Sequence, residues 1–114
     1  MPLFVSNAQG GATQLNLLTS ATATGAGTST KMIGGGRVAV EATGVTTSGS
    51  GATSITIEVS NNNSTWQTAG TIGLTLGTTQ TSDGFVMDAP WLYVRAKVAS
   101  ISGTGASVSV IISA

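Results

Sequence analysis

Four stretches of this chain alternate between two kinds of side chain at a period of two. Val38, Val40 and Ala42 fall on one face of the first, with Arg37, Ala39 and Glu41 on the other. Ile55, Ile57 and Val59 alternate with Thr56, Glu58 and Ser60, and Leu92, Val94, Ala96 and Val98 with Trp91, Tyr93, Arg95 and Lys97. Val108, Val110 and Ile112 alternate with Ser107, Ser109 and Ile111. Successive side chains of an extended strand point to opposite faces, so each stretch sends one set inward and the other outward. No segment of comparable length shows helical spacing. The 16 glycines and the abundant Ser and Thr supply turns and β-branched strand residues. The pattern predicts an all-β chain: an antiparallel β-sandwich, or a Greek-key or jelly-roll-like barrel, in a single domain.

The alternation divides the chain. Residues 37–114 carry it and form the expected sandwich core. Residues 1–36 read as an N-terminal segment or flexible arm, ordered mainly by its neighbours, with a first strand within Thr13–Ser20. There Leu15, Leu17 and Leu18 alternate only in part. Ala21–Thr30 is low in complexity and reads as loop, and Gly34-Gly35-Gly36 is a second soft point. Ser48-Gly49-Ser50-Gly51-Ala52 and Ser102-Gly103-Thr104-Gly105-Ala106 each follow one alternating stretch and precede another. Both read as tips of antiparallel hairpins that reuse Ser/Gly turns, in preference to an internal duplication. Ser60-Asn61-Asn62-Asn63-Ser64-Thr65-Trp66 reads as another turn. Asn tolerates the left-handed conformation, and Trp66 is expected to cap the core beyond it. Asp83-Gly84 and Asp88-Ala89-Pro90 mark later turns.

Composition removes most chemistry. The chain has no His and no Cys, so it lacks the commonest general base, the commonest metal ligand and any disulfide. Charged residues are 7% of the chain, against about 25% in a typical globular protein, and the formal net charge is zero. Lys31, Arg37, Arg95 and Lys97 are too few for a phosphate-neutralising patch, so no nucleic-acid partner is expected. No apolar run approaches the ~20 residues of a membrane-spanning helix, and Met1–Val5 does not resemble a secretory signal. The expected product is a soluble protein made in a host cytoplasm, without membrane association.

The remaining polar residues have structural readings. Asp83 and Asp88 are turn formers before they are a carboxylate pair. Glu41 and Glu58, expected on outward faces of neighbouring strands, pair with Arg95 or Lys97 across a sheet, and no nucleophile accompanies them. Gly25-Ala26-Gly27-Thr28-Ser29-Thr30-Lys31 lacks the Gly-Lys-Ser/Thr order of a phosphate loop. Asn62-Asn63-Ser64 and Asn63-Ser64-Thr65 match the glycosylation pattern idly. No catalytic, cofactor-binding or metal-binding residue is assigned. Trp91 and Tyr93, expected on one strand face opposite Val94, are candidates for protein contact, ahead of a sugar platform. Ile111 is the third. It interrupts the polar face of the last strand, which therefore needs a cover from the N-terminal segment or from another subunit.

The run Gly35-Gly36-Arg37-Val38-Ala39-Val40, the strand Ile55–Ser60 and the Asn-rich turn to Trp66 resemble a family of small tailed-bacteriophage virion β-sandwich proteins. So do Tyr93-Val94-Arg95-Ala96 and Gly103-Thr104-Gly105-Ala106 in the last two strands. The resemblance spans residues 34–112. Asn62-Asn63 stands where that family has Asp-Gly. The resemblance implies a capsid decoration or cement protein on the virion, bound to the major capsid protein. Neck, tail or fibre-base placement is one alternative, and a carbohydrate-binding β-sandwich module is another. A homo-oligomer is expected, with a trimer favoured because such decoration proteins often occupy three-fold positions. The family offers no catalytic residues to carry over.

Overall fold

The computed structural model describes residues 14–31, 37–88 and 91–113. They form nine strands: β1 (Gln14–Ala21), β2 (Gly25–Ala26), β3 (Thr30–Lys31), β4 (Arg37–Val45), β5 (Ser48–Ser60), β6 (Gln67–Leu76), β7 (Thr81–Asp88), β8 (Tyr93–Thr104) and β9 (Ser107–Ser113). One sheet, here sheet A, has the order β1-β9-β4-β7. The other, sheet B, has the order β2-β8-β5-β6, with β3 also paired to β8. Every pairing is antiparallel. Two separate sheets face each other across one core, which selects the sandwich over the closed barrel.

The period-two residues fill that core. Sheet A contributes Leu17, Val38, Val40, Ala42, Val108, Val110 and Ile112. Sheet B contributes Ile55, Ile57, Val59, Ile72, Leu74, Leu76, Val94, Ala96 and Val98. Ile55, Ile57 and Ile112 are fully buried, each worth about 2–3 kcal/mol of transfer free energy. One expected core residue departs from the pattern. Leu92 is 58% exposed, because β8 begins only at Tyr93 and the alternation does not reach it.

The irregular leucines of β1 have a structural cause. β1 pairs with β9, and its register shifts between Asn16 and Leu18 and again between Leu18 and Ala21. Ser20 adopts φ 50°, and its amide donates to Ser109 Oγ at 2.9 Å. Bulges of this kind change which side chains face inward, so Leu17 is buried while Leu18 packs from its flank. β1 therefore pairs along the free edge of β9, while Ile111 stays half-buried on the outer face of sheet A. The Ala21–Thr30 stretch, read as loop, crosses to sheet B and supplies β2 and the first of the two residues of β3. Each pairs over only two residues, too few to leave a periodic signature. Gly34-Gly35-Gly36 and Ala89-Pro90 lie outside the described residues.

Two turn readings are overturned. β4 lies in sheet A and β5 in sheet B, and β8 and β9 are likewise in opposite sheets, so the Ser/Gly segments are not hairpin tips. The chain crosses between sheets at Thr46-Thr47 and at Gly105-Ala106, and the Ser/Gly segments form the facing ends of β5 and β8, paired through Ser48↔Thr104 and Ala52↔Ser102. Period-two runs joined by a Gly-rich bend look the same whether the chain returns in one sheet or arches to the other. Asp83-Gly84 is also not a turn. Both residues sit within β7, opposite Ala42 and Glu41. A Cβ on Gly84 would run into Val40 O, so this glycine permits close strand approach. The separation of the sheets also corrects the acid pairing: Glu41 lies in sheet A, and Arg95 and Lys97 lie in sheet B.

At the open side between β6 and β7, Phe85 leans over Gly70. A Cβ there would meet the ring at 2.6 Å, so the missing side chain is what admits the phenyl group. The ring packs against the core and closes this seam.

Candidate functional site

The β5–β6 connection is a true hairpin turn, and side chains hold it. Ser60 Oγ accepts from the amides of Asn62 (3.2 Å) and Asn63 (3.0 Å) and donates to Asn62 Oδ1 (3.1 Å). Asn62 Oδ1 also accepts from the amides of Ser64 (2.9 Å) and Thr65 (2.8 Å). Asn63 takes φ 58°, the left-handed conformation that Asn adopts more readily than other residues with a side chain. The buried Ser60 hydroxyl is thereby fully used.

Beyond the turn, Trp66 does not cap the core. It lies half-buried beneath the Arg95 guanidinium, whose central carbon is 4.2 Å from the ring centroid. Arg95 Nε also donates to Glu58 Oε1 at 2.8 Å, between two side chains only 26% and 14% exposed. Glu58↔Arg95 is a directly opposed pair between β5 and β8, as the alternation predicts for these two residues. An arginine that offers its face to an indole and its edge to a carboxylate is held in a single orientation.

The segment leading into β8 packs beside this turn. Asn61 Oδ1 accepts from the Leu92 amide at 3.4 Å. Trp91 is half-buried and packs against the core. Between turn and segment lies an open cleft of about 360 Å³ lined by Asn61, Asn62, Thr65, Gln67 and Trp91.

The three candidate contact residues occupy different surroundings. Trp91 precedes β8 and turns onto the core, so it does not share Tyr93's strand face. Tyr93, half-buried, opens β8 between Ser60 and Lys31. Ile111, half-buried, stands on sheet A between Glu41 and Asn16, remote in topology from both aromatics. Asn61, Thr65 and Gln67 escaped the sequence reading as site residues. The Asn run announced a turn, and nothing local showed that Trp91 would pack beside it.

Asp83 and Asp88 do not form a carboxylate pair. They are five positions apart on one strand, about 17 Å and on opposite faces. Asp83 Oδ1 accepts from the adjacent Gly84 amide, and Asp88 faces Arg37 at 3.8 Å in an exposed ion pair. Among the described residues, no three His, Cys, Asp or Glu side chains gather as a metal site. No described helix is long and apolar enough to cross a membrane.

No protein-family profile matches the sequence. No curated protein matches it either. Two solved structures share the fold. The SPBc2 prophage-derived protein YomS superposes with a TM-score of 0.60 at 17% identity, over 91% of this chain and 94% of its own. The PBSX exported protein XepA superposes with a TM-score of 0.53 at 19% identity, over 96% of this chain but 38% of its own. This chain therefore spans well under half the length of XepA.

Proposed function

We propose that this chain is a structural protein of a bacteriophage particle, without catalytic activity, that decorates the capsid by binding the major capsid protein. The observation that carries this reading is the end-to-end match of its sandwich to a prophage-derived protein of nearly equal extent. The sequence supports it independently. A chain without His or Cys and with four acids has little material for an active site. A surface this poor in charge suits a subunit covered by partners better than one that stays apart in solution. Immunogold labelling of purified particles tests the placement. Label over the head surface is expected; label confined to neck, tail or fibre base would move the protein there.

Self-association belongs to the same proposal, as a homo-oligomer with three subunits favoured. Its contact runs over the outer face of sheet A, where Ile111 shares a row with Asn16 and Glu41. Ile111→Asp should lower the assembled mass in light scattering more than Ser109→Asp, since it sets a charge in an apolar contact. Equal behaviour of the two folded variants would remove sheet A from the interface.

A further inference from the structure

The cleft beside the Asn-rich turn has features that assembly does not require. Its lining is one indole, three carboxamides and one hydroxyl, with no charged residue among them. Carboxamide N–H groups donate to sugar hydroxyl oxygens, and an indole offers an apolar face to ring C–H groups. A lining with no charged side chain offers a charged ligand no ion-pair partner against the cost of its desolvation.

The lining is also held in place. Asn62 Oδ1 is committed to the turn amides of Ser64 and Thr65, and Asn61 Oδ1 to the amide of Leu92. Both Nδ2 groups lack a partner among the described residues. Each carboxamide is thus fixed through its oxygen and keeps its N–H donors for a ligand. Trp91 is steadied by its packing on the core. Groups fixed before binding lose little freedom when a ligand arrives.

We propose that this cleft binds a neutral saccharide of one or two rings. Its volume of about 360 Å³ lies at the small end of ligand sites. It sits at the end of the β5–β6 hairpin, and of its lining only Gln67, the first residue of β6, belongs to a strand. Trp91 supplies the stacking face, while Asn61, Asn62 and Gln67 pair with hydroxyls. The proposal is independent of particle placement, since a sugar site serves a decoration protein and a free module alike.

The test is a titration of the isotopically labelled full chain, followed by NMR, with methyl glycosides of glucose, galactose, rhamnose and N-acetylglucosamine. Additions reach about 10 mM, the weak range expected of a shallow small site. At least one glycoside should shift the side-chain amide signals of Asn61, Asn62 and Gln67 and the indole N–H of Trp91, with saturation. Gln67→Ala, at an exposed position, should weaken that binding about threefold or more without altering the rest of the spectrum. Trp91→Ala should abolish it. Should that variant fail to fold, Trp91→Phe keeps the core contact and should still weaken binding. Silence across all four glycosides would overturn the proposal. Equal binding by wild type, Gln67→Ala and Trp91→Phe would overturn it too, as would equal shifts from a blocked oligo-alanine peptide.

Discussion

At the end where β4 arches into β5 and β8 into β9, the sandwich is shut by small residues and their backbone. Thr46 Oγ1 donates to Gly49 O at 2.7 Å and Thr47 Oγ1 to Thr104 O at 3.1 Å, while Gly103 and Gly105 take φ values of 119° and 63°. At the opposite end, Asn61, Asn62, Thr65, Gln67 and Trp91 surround a cleft, and Leu92 stands 58% exposed. Both ends perform the same task, ending a set of strands. Glycine at positions 51, 103 and 105 lets the backbone at one end close in tightly. Longer amide side chains and an indole hold the other end open. The closed end should therefore be sensitive to added atoms, and the open end tolerant of truncation at an exposed side chain such as Gln67.

The largest effect is expected at Gly51. A Cβ there would run into Ser102 O and lie 2.9 Å from Gly103 Cα, both backbone atoms of the facing strand. Gly51→Ala should cost about 3 kcal/mol, near the upper end of overpacking effects, and lower Tm by roughly 10 °C in a thermal melt. Gly105→Ala should follow at about 2 kcal/mol, because it combines a left-handed φ with a collision against the Thr47 side chain. A change of Tm within 2 °C for both would mean that the arches can shift apart, and the contrast between the ends would fail.

The alternation revealed the core because burial on a sandwich strand follows period two directly. Val38, Val40, Ile55, Ile57, Val94, Val108, Val110 and Ile112 all point inward as expected. It could not assign strands to sheets. Whether Gly49 and Gly105 turn a hairpin or an arch depends on which partner lies alongside, and that is a property of the whole topology. Nor could it place Trp66 and Trp91, whose roles are exchanged. The indole expected in the core stacks beneath Arg95, and the one expected at the surface packs inward. Both lie just outside strands, where period two has no authority. The candidate cleft joins residues some thirty positions apart and left no local trace.

Smaller effects sharpen the picture at the open end. The Glu58–Arg95 pair is mostly buried, so a double-mutant cycle with Glu58→Gln and Arg95→Met should give a coupling of about 1 kcal/mol. A coupling near zero would leave Arg95 held by Trp66 alone. Asn63→Ala should cost about 1 kcal/mol in urea unfolding, whereas Asn63→Gly should be nearly neutral, since only the φ of 58° is at stake. Gln67→Ala should change stability by less than about 0.5 kcal/mol, as expected of an exposed side chain.

Membership of a phage particle is tested most directly by quantitative mass spectrometry of virions purified through a density gradient. Peptides of this chain should band with the major capsid protein and keep a constant ratio to it across the particle fractions. Peptides confined to the soluble lysate, or a ratio that falls with each round of purification, would contradict a structural place in the particle.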